Sequence, residues 1–186
     1  MSAPDIERRG AAAGVTASGR TLSGYAATYG VPTAIGGFTE RIAPGAFAKT
    51  LASGRDVLAL LDHRADVLLG RTRSGSLRLS EDSKGLKFEL HLPDTAAARD
   101  VIALAERGDL GGMSFGFIAT EESWNGDTRE LRSVELHEIS VVQAWPAYQS
   151  TEVALRSRKA IEDARDLNSF IFSHRPNALR WLDTCI

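Results

Sequence analysis

The chain has 186 residues, 43% hydrophobic and 25% charged, with a net charge of −2. That is enough for one domain with a real core and short for two, and the near-neutral balance gives no electrostatic case for nucleic acid or an anionic membrane. No apolar run approaches the roughly 20 residues of a membrane span, the charged start (Asp5, Glu7, Arg8, Arg9) is no secretory signal, and a lone Cys185 fits a reducing cytoplasm.

Residues 1–20, rich in Ala, Gly and Ser, read as a flexible arm, with a strand at most at its end. Thr21 to Tyr29 reads as a strand, residues 30–37 as a loop, and Phe38 to Ile42 as a short extended segment. Pro44 to Ser53 predicts a helix, with Pro near its start and Gly54 after its end. An apolar strand from Asp56 ends at Asp62-His63. Strands over 68–74 and 77–80 flank Gly75. In 86–92, Leu86, Phe88, Leu90 and Leu92 alternate with Lys87, Glu89 and His91, the period of a half-buried strand. Thr95 to Arg107 is the clearest helix, capped by Thr95 and ended by Gly108. Strands from Met113 to Thr120 and Arg129 to Val142 follow, joined through Asn125-Gly126-Asp127. The order predicts a mainly β, α+β fold: antiparallel strands in a barrel or compact open barrel, with a few inserted helices. A single folded domain is expected over 21–156. Residues 157–186, a charged helical stretch and an aperiodic end, read as an appendage without an assigned role.

One stretch stands out chemically. Gly111-Gly112-Met113-Ser114-Phe115-Gly116-Phe117 places a serine on what reads as a buried strand. A buried hydroxyl must find a partner or cost free energy, and a serine held on a rigid backbone is also what a nucleophile requires. Serine hydrolysis further needs a histidine to take the proton and a third group to hold the imidazole. His63 supplies the first; the strand Val134 to Val142 offers Glu135, His137 and Glu138 for the second. Alternation does not choose among them, because the strand turns apolar on both faces near its centre. The plain alternatives stand beside this: Ser114 as a structural hydroxyl, His63 in a polar turn with Asp62, Arg64 and Asp66, and Glu138 paired to Arg129 or Arg132. His63, His91 and His137 show no metal-ligand spacing, and the glycines form no phosphate loop. No cofactor is expected.

The order of motifs resembles the prohead (capsid maturation) protease family of tailed bacteriophages. The matching segments are Gly24-Tyr25-Ala26-Ala27, Gly37 to Phe47, Asp62-His63 with Leu69-Gly70-Arg71-Thr72, and Gly75 to Leu79. Further ones are Gly85-Leu86, Leu92 to Thr95, Arg107 to Leu110 running into Gly112 to Phe117, Glu138 to Val142, and Pro146-Ala147. The resemblance implies a serine endopeptidase related in fold to the herpesvirus assembly protease, a β-barrel surrounded by a few helices. It implies Ser114 as nucleophile, His63 as general base, and Glu138 orienting His63. His137 is the alternative third member, since the herpesvirus relatives use a second histidine. The implied partners are the major capsid protein with its scaffolding segment and the chain itself, through autoprocessing and self-association. The implied place is the procapsid in the bacterial host cytoplasm. The competing expectation is an inactive, protease-like procapsid component that binds capsid or scaffold protein; a soluble esterase is a third.

Overall fold

The computed structural model describes residues 6–11 and 15–144; the expected end of the protease domain and the appendage over 157–186 lie outside them. The chain folds as β1 (Glu7–Ala11), β2 (Thr16–Ser18), β3 (Thr21–Thr28), β4 (Thr33–Ile35), β5 (Phe38–Ile42), α1 (Ala48–Ala52), β6 (Leu58–Leu61), β7 (Arg64–Arg71), β8 (Leu77–Glu81), β9 (Gly85–His91), α2 (Ala96–Arg107), β10 (Gly112–Asn125) and β11 (Thr128–Val142). It is mainly β, as expected. The strands form two sheets, β1-β10-β11-β5-β4 with β6 and β7 branching from β11, and β2-β3-β9-β8. Among the described residues neither sheet closes on itself, so the hydrogen bonding is that of two open sheets and not of a closed barrel.

Where local chemistry is strong, the elements fall where the sequence puts them. The Thr95 hydroxyl accepts from the Ala98 N–H, and Gly108 ends α2 in the left-handed region at φ 74°. In β9, Leu86, Phe88 and Leu90 are buried and Lys87, Glu89 and His91 exposed. Across the space between the sheets, Leu22, Phe88 and Leu90 join Met113, Phe115 and Phe117 in one core. Phe115 stacks on Phe117 at 5.2 Å between ring centroids and meets Phe47 edge-on at 5.6 Å.

Three expectations are corrected. The stretch read as a flexible arm supplies two strands, with β1 paired antiparallel to β10 along five residues. Its anchor is electrostatic: Arg9 and Arg129, both nearly buried, share the buried Glu40 and also pair with Glu7. Ionic anchoring leaves no apolar periodicity to read. The helix expected over 44–53 shrinks to five residues, because residues 44–47 form turns. What fixes α1 is Thr50, whose buried hydroxyl donates to the Val134 carbonyl and accepts from the Leu136 N–H of β11. Finally, the sheet is mixed: β5 and β6 run parallel to β11, against its first and last parts. One strand of 15 residues thus serves as the spine of the larger sheet.

Candidate active site

Ser114 lies in β10, a central strand between β1 and β11. Its odd-numbered neighbours Met113, Phe115 and Phe117 enter the core, so Ser114 and Gly116 point to the opposite face. Register brings two residues of β11 to that same face: Ser140 opposite Ser114, and Glu138 opposite Gly116.

That placement depends on an irregularity. Gly116 pairs with Glu138, but Phe117 pairs with Leu136, so His137 is an extra residue on β11. A bulge resets the two-residue period of a strand. Leu136 faces the core before it, and Ile139 and Val141 face the core after it. Glu138 and Ser140 are thereby turned to the face of Ser114. This is why alternation read from sequence could not rank the candidates: the phase changes at His137.

His63 arrives from a hairpin. Leu61 of β6 pairs with Arg64 of β7, leaving Asp62 and His63 as a two-residue loop with φ of 48° and 60°. Two successive left-handed residues make a type I′ turn, usually built with Asn and Gly. Asp and His are among the few other residues that tolerate the region, and such strain gathers at functional sites. The turn is tied down by the Asp62 N–H on the Val141 carbonyl at 2.9 Å, and by the Asp62 Oδ1, which accepts from the Gln143 N–H at 2.9 Å. β6 pairs with 138–141 of β11, so the loop sits over the end of the strand that carries Glu138.

The outcome is a direct contact. His63 Nδ1 lies 2.7 Å from Glu138 Oε1, and Arg8 Nε of β1 donates to the same oxygen at 3.1 Å. Burial pushes the Glu138 carboxyl up, but the hydrogen bonds and charges of His63 and Arg8 outweigh it and hold the group below its ordinary value of 4.5. An ionised carboxylate only accepts, so the hydrogen of a neutral His63 is on Nδ1 and its Nε2 is the basic nitrogen. That Nε2 is buried and has no hydrogen-bond partner among the described residues. The Ser114 hydroxyl, 2% exposed, donates to the Arg9 carbonyl of β1 at 2.8 Å.

His137, the alternative third group, sits 2.9 Å from Glu135 Oε1 through Nε2, and among the described residues it forms no hydrogen bond or ion pair with His63. Arg129 and Arg132, considered as partners of Glu138, pair elsewhere: Arg129 with Glu7, Glu40 and Glu122, Arg132 with Glu130. The arginine that does reach Glu138 is Arg8, which sequence reasoning missed; 130 residues separate the two, and no local pattern marks the pairing. His91 lies on the exposed face of β9 beside the Thr21 hydroxyl, and among the described residues no three His, Cys, Asp or Glu side chains gather into a metal site. No described helix is long and apolar enough to cross a membrane.

A serine, an imidazole tethered through one nitrogen with the other left basic, and a buried carboxylate are the component set of a serine hydrolase. The chain belongs to the caudovirus prohead serine protease family, whose model matches residues 6–165. It is similar to the prohead protease of Enterobacteria phage HK97, with 30% identity over 157 residues, 81% of this chain and 66% of that protein. The chain thus spans just under two thirds of that relative's length. No solved structure matches it.

Proposed function

We propose that the chain is a serine endopeptidase of procapsids, acting through an acyl-enzyme on Ser114, with His63 as general base and Glu138 orienting it. The observation that carries this reading is the 2.7 Å contact between His63 Nδ1 and Glu138, which leaves Nε2 as the proton acceptor on an imidazole held by a carboxylate of the strand paired with that of Ser114. In the first step Ser114 Oγ bonds to the scissile carbonyl carbon while its proton passes to Nε2, and the carbonyl π electrons move onto oxygen. Collapse of that intermediate expels the amine, which takes the proton from Nε2. Water then repeats the sequence and frees Ser114. Glu138 fixes the tautomer and stabilises the imidazolium of each intermediate.

The substrate proposed is the scaffolding part of the major capsid protein, with the chain itself as a second target, inside the procapsid in the host cytoplasm. Family membership and the name of the HK97 relative support it. The same reading takes the two facing sheets around one core as the counterpart of the herpesvirus-type barrel.

One observation favours the second reading, an inactive procapsid component: Ser114 is buried and its proton is engaged by β1, not by His63. Co-expression with the capsid protein and labelling with a serine-directed fluorophosphonate separate the two. The protease reading expects processing and labelling that both disappear in Ser114→Ala and His63→Ala. Normal processing by Ser114→Ala would overturn it; a folded wild-type chain that neither cuts nor labels would establish the second.

A further inference from the structure

Ser140 is fully buried, and its hydroxyl has no hydrogen-bond partner among the described residues. A hydroxyl in that position is a standing penalty that alanine would relieve, so something must be asked of it. Its place in the sheet supplies an answer. Ser140 is the direct cross-strand partner of Ser114 and faces the same side, in the row next to Gly116 and Glu138. Directly opposed residues have Cβ atoms roughly 4.5–5.5 Å apart, so a turn about χ1 brings two serine oxygens within hydrogen-bond distance. Ser114 Oγ spends its one proton on the Arg9 carbonyl, and among the described residues no donor reaches its lone pairs. Ser140 therefore has a donor without an acceptor, opposite an acceptor without a donor.

We propose that Ser140 is a positioning residue for the nucleophile: its hydroxyl donates to Ser114 Oγ and holds that oxygen while Ser114 exchanges the Arg9 carbonyl for His63 Nε2. The inference rests on the reading of Ser114 as nucleophile. Ser140 keeps its own proton throughout; the proton transferred is that of Ser114, and the bond formed is from Ser114 Oγ to the carbonyl carbon. Ser140 acts on the geometry and electron density of an oxygen that is otherwise free to stay turned toward β1.

The test compares four full-length chains, wild type, Ser140→Ala, Ser140→Thr and Ser140→Val, with Ser114→Ala as control. The readouts are the second-order rate of fluorophosphonate labelling and the midpoint of thermal unfolding. Threonine and valine have the same shape and differ by the hydroxyl, so any overpacking cancels between them. The expectation is labelling slower by roughly five- to tenfold in Ala relative to Ser, and by a similar factor in Val relative to Thr, the worth of one neutral hydrogen bond. Unfolding midpoints of Ala and wild type should match, or Ala should be higher, because a lone buried hydroxyl has been removed. Equal labelling within both pairs would overturn the role of Ser140 while leaving Ser114 as nucleophile. Loss of rate that tracks a fall in the unfolding midpoint would overturn it in favour of a packing role. Labelling that persists in Ser114→Ala would overturn the nucleophile assignment itself, and this inference with it.

Discussion

Gly116 and Glu138 face each other across β10 and β11 with no room between them for a methyl group. A Cβ built at Gly116 would lie 2.7 Å from Glu138 Cγ and 2.8 Å from Oε1, closer than packed atoms approach. The glycine leaves the channel through which the carboxylate reaches His63. In Gly116→Ala the Glu138 side chain must move, and the 2.7 Å contact with His63 goes with it. Peptidase activity is expected to fall by about tenfold or more, with a stability loss of about 1–3 kcal/mol as for other overpacked sites. A double-mutant cycle checks the route: in a Glu138→Ala background the same glycine substitution should have little further effect on activity. An equal effect in both backgrounds would mean that Gly116 acts elsewhere.

Glu138 and His137 are adjacent in sequence and differ in what they touch, so their substitutions should separate. Glu138→Gln keeps the size of the side chain but offers its amide where a charge held the imidazole. On the proposed roles, a loss of about two to four orders of magnitude in kcat is expected, the range for Ser-His-Asp triads that lose their carboxylate. His137→Gln should change kcat by less than about threefold, because the side chain is half-buried beside Glu135 and takes no part in the His63–Glu138 contact. The reverse order would assign the third role to His137.

The pH dependence follows from the same carboxylate. Its folded value is below its ordinary 4.5 because His63 and Arg8 outweigh the effect of burial. A lowered carboxylate contributes stability that is present above its unfolded value and disappears as pH falls through its folded value. The difference in unfolding midpoint between wild type and Glu138→Gln should therefore be largest above the ordinary carboxylate value of 4.5 and shrink as pH falls below it. A difference that stays constant over that range would show that Glu138 makes no net charge-dependent contribution.

How much of this was legible depended on the kind of signal. The alternation of Leu86, Phe88 and Leu90, the caps Thr95 and Gly108, and the turn near Gly126-Asp127 are local, and the corresponding elements form, with β10 running on to Asn125 beyond the expected end at Thr120. Ser114 and His63 stand out by residue chemistry, Glu138 is chosen among its neighbours only through the resemblance, and the fold brings His63 to Glu138. Two things were not readable. The phase change at His137 is invisible in a strand that is apolar on both faces. The role of residues 7–11 is carried by ion pairs to Glu40, Glu138 and Arg129, spanning 31 to 130 residues of sequence; in sequence, charges among alanines and glycines look like a solvated arm.

The anchoring of β1 leads to the last prediction. Glu40 is 4% exposed and sits between Arg9 Nε at 2.7 Å and Arg129 Nη1 at 3.0 Å. Replacing such a pair with matched apolar groups is often tolerated, but removing one partner strands the other charge in a low-dielectric site. Glu40→Ala leaves two nearly buried arginines with Glu7, itself partly exposed, as the acid between them. A destabilisation of about 3–5 kcal/mol is expected from urea unfolding. Arg9→Met should be milder, because Arg129 still balances Glu40. Since the Arg9 carbonyl is also the acceptor for Ser114, hydrogen exchange in Glu40→Ala should accelerate along β1 and the facing residues 113–117 before it does so in β3 and β9. Uniform acceleration through both sheets would instead mean that the ion network supports the whole core and not the strand that covers the serine.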